Sequence, residues 1–67
     1  MKGFGERVKQ ELSSQGKMQK DLCLFLNVNK STLSEWLNDK NEPSMLYIVD
    51  MAKFLGVTTD YLLGLED

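Results

Sequence analysis

"QKDLCLFLNVNKSTLSEWLN", residues 19–38, reads as two short amphipathic helices on either side of a tight turn. Leu22, Cys23 and Leu26 recur at the spacing that lines one helix face, which predicts a helix over about Gln19–Leu26. Asn27 then stands where a helix closes in the left-handed region, a place asparagine takes when glycine does not. Val28 turns back to the core. Asn29 is a good N-cap for a following helix from Lys30 to about Asn38, with Leu33, Trp36 and Leu37 inward and Lys30, Ser31, Ser34, Glu35 and Asn38 outward. Two helices joined only by "NVN" form a helix-turn-helix.

On the N-terminal side, Phe4, Val8 and Leu12 share one face of a helix from about Gly3 to Ser14, which Ser13, Ser14 and Gly16 end. On the C-terminal side, "DKNEPS" is a loop in which Pro43 blocks helix at Glu42 and Ser44 caps a fourth helix. Leu46, Val49, Met51, Ala52 and Leu55 are its expected core residues, and Gly56 stops it. Thr58 caps a fifth helix, with Asp60 favourably placed in its first turn and Gly64 at its end. Tyr61, Leu62 and Leu65 give that helix an apolar side. No segment alternates long enough to predict a strand, and no repeat or linker divides residues 1–67, so an all-α, five-helix, single-domain chain is expected.

Composition excludes several functions. With 67 residues, 42% of them hydrophobic, there is material for one small core and little left for an enzyme cleft. There is no histidine and Cys23 is the only cysteine, so an intrachain disulfide is impossible and a Cys/His metal site is not expected. A nucleophile with a histidine base and a glycine-rich phosphate loop are both missing, so no catalysis, cofactor or small-molecule ligand is inferred. Cys23 reads as a small buried filler. No apolar run is long enough to span a bilayer and no signal peptide is evident, so a cytoplasmic protein without a membrane partner is expected.

The net charge of −2 is unevenly placed. Residues 1–16 and 17–40 each net +1, whereas residues 41–67, with Lys53 against Glu42, Asp50, Asp60, Glu66 and Asp67, net −4. Lys17, Lys20 and Lys30 crowd the starts of the second and third helices, where the macrodipole favours acids. An anion at those helix ends would relieve the repulsion, and DNA phosphate is one.

The pattern from Gln19 to Trp36 resembles the lambda-repressor-like (Cro/cI/XRE) helix-turn-helix family. The resemblance runs over nearly the whole chain: "FGERVKQEL" is similar to the family's first helix, and "NEPSMLYIVDMAKFLGVTTDYLLG" to its fourth and fifth. Asn27, Cys23, Leu37 and Asp39 stand where the family commonly has Gly, Ala, Glu and Gly, and Lys17–Met18 leave the second helix without a side-chain N-cap. The resemblance implies a compact five-helix domain that regulates transcription by binding double-stranded DNA, most simply as a phage or bacterial repressor on a two-fold-symmetric operator.

By the same resemblance, Gln19, Lys30, Ser31 and Ser34 read bases or support that reading, while Gln19, Asn29, Lys40 and Asn41 hold phosphates. Glu35 is open between accepting from cytosine N4, repelling phosphate and pairing with a lysine. Trp36, at its spacing from Leu33, reads as core. The family commonly works as dimers, and Tyr61, Leu62, Leu63 and Leu65 are the expected homodimer face. The competing expectation is a protein-interaction module of antitoxin or anti-repressor kind on the same fold.

Overall fold

Phe4, Val8 and Leu12 lie along the buried side of α1 (Phe4–Ser14), the first of five helices in the computed structural model, which describes residues 3–66. The others are α2 (Gln19–Leu26), α3 (Lys30–Leu37), α4 (Met45–Leu55) and α5 (Thr59–Leu63), and the described residues contain no strand. α1 packs on α3 and α5, α2 on α3 and α4, and α4 on α5, so one core is shared by all five. Leu22, Leu26, Leu33, Leu37, Met51 and Leu55 are among its buried members, as is Trp36. The Trp36 ring is tilted against Tyr47 with centroids 4.9 Å apart, a pairing of offset aromatics across α3 and α4.

Gly5 sets the closest approach in this core. It is buried in the first turn of α1, and a methyl group there would overlap the carbonyl of Leu37 and stand 2.8 Å from the Leu37 Cα. α1 and α3 therefore cross with backbone against backbone.

All five helices end alike. The first residue past α2, α4 and α5, and the second past α1 and α3, takes the left-handed region, and two backbone hydrogen bonds close each last turn, the Schellman arrangement. At α2, Val28 N–H donates to the Cys23 carbonyl at 3.1 Å and Asn27 N–H to that of Leu24 at 3.3 Å. At α3, Lys40 N–H donates to Glu35 at 2.9 Å and Asp39 N–H to Trp36 at 3.3 Å. Three of the left-handed residues are glycines, and the two others are Asn27 (φ 57°) and Asp39 (φ 58°). Because the αL region strains any residue with a Cβ, Asp39→Gly is expected to stabilise the fold by about 0.5–1 kcal/mol. A melting point raised by roughly 2–8 °C would register it. No change, or a fall, would mean that the Asp39 side chain contributes something the backbone geometry does not reveal.

The caps at Asn29 and Thr58 form as expected: the Asn29 Oδ1 accepts from Thr32 N–H at 2.8 Å and the Thr58 Oγ1 from Tyr61 N–H at 3.0 Å. Ser44 holds the N-cap position of α4 with extended backbone, but its hydroxyl makes no cap hydrogen bond. Met18 precedes α2 without a side-chain cap; instead the Asp21 carboxylate reaches back and accepts from Met18 N–H at 3.2 Å.

Two core assignments are corrected. Leu46 is 78% exposed and Val49 only half-buried, while Ile48, at 2% exposure, fills the place expected of them. On a helix that starts at Met45, Ile48 lies three, four and seven residues before Met51, Ala52 and Leu55, on their face; Leu46 points nearly opposite.

Lys17 is also displaced from its expected role beside α2. Its Nζ donates to the Phe54 carbonyl at 2.8 Å and lies 4.6 Å from the centroid of the Phe54 ring. Gln15 Nε2 donates to the next carbonyl, Leu55, at 2.7 Å. The loop between α1 and α2 thus satisfies acceptors at the C-terminal end of α4, where the macrodipole favours a cation.

Candidate nucleic-acid interface

α3 presents Lys30, Ser31, Ser34 and Glu35 to solvent, since Leu33, Trp36 and Leu37 take up its inner face. Its N-terminal turn is fastened by Asn29, whose Oδ1 accepts from Thr32 N–H and, at 3.4 Å, from the Ser31 hydroxyl. That oxygen is committed to the cap, leaving the Asn29 amide group to face outward. The Asn29 backbone carbonyl takes the Leu33 N–H at 3.2 Å. The N–H groups of Lys30 and Ser31 are then the first-turn donors for which the helix itself has no acceptor. No acidic residue occupies this turn, and the Lys30 side chain is exposed with no hydrogen-bond partner among the described residues. An exposed cation beside two undirected N–H groups is an arrangement suited to a phosphate or to the acceptor edge of guanine.

Further along α3 the predicted residues are tied to neighbours. Asn38 Nδ2 donates to the Ser34 carbonyl at 2.9 Å and to its hydroxyl at 3.3 Å, and Asn38 in turn accepts from Lys9 Nζ at 3.0 Å. Lys9, on α1, therefore braces the far end of α3. Nothing local in the sequence signals this, because the two residues are far apart in the chain. Glu35 is paired with Asn41, whose Nδ2 donates to Glu35 Oε1 at 3.0 Å, so its partner in the chain is an amide and not a lysine. Lys40 is exposed in the same loop, and Gln19 is exposed at the first position of α2. α3 and its following loop thus bring together Lys30, Ser31, Ser34, Glu35, Lys40 and Asn41 around one helix; Gln19 belongs to the neighbouring helix start. Of the three cations expected at helix starts, Lys20 and Lys30 are exposed, and Lys17 is engaged at α4.

Of the four residues expected at a dimer face, Leu62 is fully buried, at 0% exposure, inside its own chain. Tyr61 and Leu63 are half-buried against the core, and the Tyr61 hydroxyl donates to Glu11 at 3.3 Å. Leu65 alone of the four is open to solvent, at 72%. Leu24 and Phe25 on α2 and Met45 and Leu46 on α4 are also exposed apolar residues; the spacing of Leu22, Cys23 and Leu26 leaves Leu24 and Phe25 off the inner face of α2.

No group of three or more metal-ligating side chains is assembled among the described residues. No helix among them is long and apolar enough to cross a membrane.

Comparison with known proteins gives a consistent picture. The helix-turn-helix family model matches residues 8–62. The chain is 33% identical over 60 residues to the SPbeta prophage-derived uncharacterized HTH-type transcriptional regulator YonR of Bacillus subtilis, a match covering 90% of this chain and 56% of that protein. It is 30% identical over 64 residues to the HTH-type transcriptional regulator ImmR of the same organism, covering 96% of this chain and 50% of that protein. The chain thus spans about half the length of these curated relatives. No solved structure gives a significant match.

Proposed function

The chain belongs to the Cro/cI/XRE-type helix-turn-helix family, and on that premise we propose that it is a sequence-specific, non-catalytic regulator of transcription that represses by occupying double-stranded DNA with α3. The observation that carries this reading is the start of α3: exposed Lys30 and Ser31, two N–H groups without helical acceptors, and no acid to neutralise them. A recognition helix lays such an N-terminal turn along base edges in the major groove, with the neighbouring helix start on the backbone. Ser34 and Glu35 extend the same face, and Gln19, Lys40 and the Asn29 amide flank it for phosphate contact. The relatives named as transcriptional regulators support the reading.

The domain acts as a homodimer. Half-sites on a two-fold operator lie about 34 Å apart, and the described chain is 30 Å in its longest dimension, so one copy serves one half-site. Its place of action is the cytoplasm, where the DNA of a phage or bacterium is.

A Lys30→Ala, Ser31→Ala double variant tests the reading against selected and random duplexes across a salt series. On the selected site its affinity should fall by about tenfold to a hundredfold, with the salt slope reduced by about one unit for the missing cation. The melting point should hold, because both side chains are exposed. Equal, weak and unselective binding by both proteins would overturn DNA recognition by α3 and favour a protein partner on the same fold.

A further inference from the structure

The phosphate role expected of Asn41 conflicts with where its amide points, which is at Glu35. We propose that Asn41 is a positioning residue that fixes the Glu35 carboxylate as the reader of a cytosine in each half-site; the inference rests on the DNA-binding reading above. Glu35 lies four residues after Ser31 on the exposed side of α3, one turn along from the Lys30 end and on the same flank. A glutamate left to itself there would be driven out of a groove lined by phosphates, and its flexible side chain would carry little sequence information.

The loop after α3 prevents that. Asp39 in the left-handed region turns the chain back over the helix end, so that Lys40 and Asn41 N–H both reach the Glu35 carbonyl, at 2.9 and 3.4 Å. Asn41 then holds the Glu35 side chain as well, through Oε1. Glu35 is gripped at its backbone and its carboxylate by one three-residue turn.

One carboxylate oxygen, Oε2, has no protein donor among the described residues and is left to accept from DNA. In the major groove, guanine offers only acceptors, N7 and O6, and thymine offers the O4 acceptor; both repel a fixed carboxylate. Adenine presents its N6 amino group directly beside the N7 acceptor, whereas cytosine presents N4 alone, so cytosine suits this oxygen best. Asn41 supplies no base contact of its own in this arrangement. It removes the rotamers in which Glu35 would be indifferent to sequence.

The test selects binding sites from a random duplex pool with the wild-type chain, Glu35→Gln, Asn41→Ala and Asn41→Gln, with circular dichroism to confirm each fold. The wild type should enrich cytosine at one position of each half-site. Glu35→Gln should move that position toward adenine, which a glutamine amide matches bidentately. Asn41→Ala should flatten the same position by about tenfold and spare the rest, while Asn41→Gln, which keeps an amide donor, should retain the preference. If Asn41→Ala weakens every sequence equally and leaves base preference intact, Asn41 is a phosphate contact and the inference fails while DNA recognition stands. A wild type that enriches no site takes down both.

Discussion

Gly5→Ala should remove most of the stability of this domain, by about 3 kcal/mol, although alanine is the better helix former. On propensity alone the change would gain roughly 1 kcal/mol at an interior helix position. The added methyl, however, falls on the carbonyl of Leu37, which is backbone in the middle of the helix contact and cannot rotate away. Relief requires α1 to lift off α3, which opens the packing of Phe4 and Val8 against Leu33 and Leu37, and overpacking of this kind costs about 1–3 kcal/mol or more. A core this small rarely supplies more than about 3–5 kcal/mol in total, so the variant should be largely unfolded at room temperature. Urea denaturation followed by circular dichroism decides it. A midpoint at or above wild type would show that α1 and α3 do not meet at Gly5. Gly16→Ala serves as a control: nothing lies within 4 Å of a methyl there, so only the left-handed backbone penalty of about 1–2 kcal/mol applies.

Leu62→Ala should cost a similar amount, roughly 2–5 kcal/mol, since it deletes three carbons from a fully buried site and leaves a cavity. The character of that loss matters as much as its size. If Leu62 belongs to the core of its own chain, folded Leu62→Ala should self-associate as the wild type does. A side chain shared between two copies would instead weaken association as well as stability. Leu65→Ala provides the contrast, because Leu65 stands in solvent and its truncation should leave the fold within about 0.5 kcal/mol of wild type. Sedimentation alongside the melts separates the two; a weakened self-association of folded Leu62→Ala would return it to the interface between copies.

Much of the architecture is legible in residues 1–67 because the helix ends carry local chemistry. Asn29 and Thr58 cap by side chain, Asn27, Gly56 and Gly64 close in the left-handed region, and each helix boundary falls within a residue or so of where those signals put it. Asp39 is the exception: it closes α3 in the same way, but aspartate is so common in loops that its presence does not announce a left-handed turn. Leu46 and Ile48 were transposed for a different reason. Residues 45–49 are five apolar residues in a row, and such a run carries no phase of its own; the phase comes from Met51, Ala52 and Leu55 further along the helix, whose face includes Ile48 and not Leu46.

The site divides in the same manner. Lys30, Ser31, Ser34 and Glu35 could be placed on one exposed face because the inward residues of α3 are unambiguous. What those side chains touch could not be read, since Lys9 to Asn38 and Lys17 to Phe54 are meetings of residues distant in the chain. Apolar residues at the C-terminal end look the same in a sequence whether they face their own core or a second copy, and it takes the packed chain to show Leu62 buried and Leu65 exposed.

The bonds from Gln15 and Lys17 to the last carbonyls of α4 have a kinetic consequence. Helix ends ordinarily fray on their own, one turn at a time, within the low-energy fluctuations of a native state. Here the end of α4 cannot loosen without releasing the loop that leads into α2, and that loop cannot shift without exposing carbonyls at the end of α4. The two segments should therefore open as one cooperative unit, with amide hydrogens that exchange at matched rates. The start of α2, which carries the exposed Gln19, is thereby coupled to the far end of α4 through the loop that precedes it.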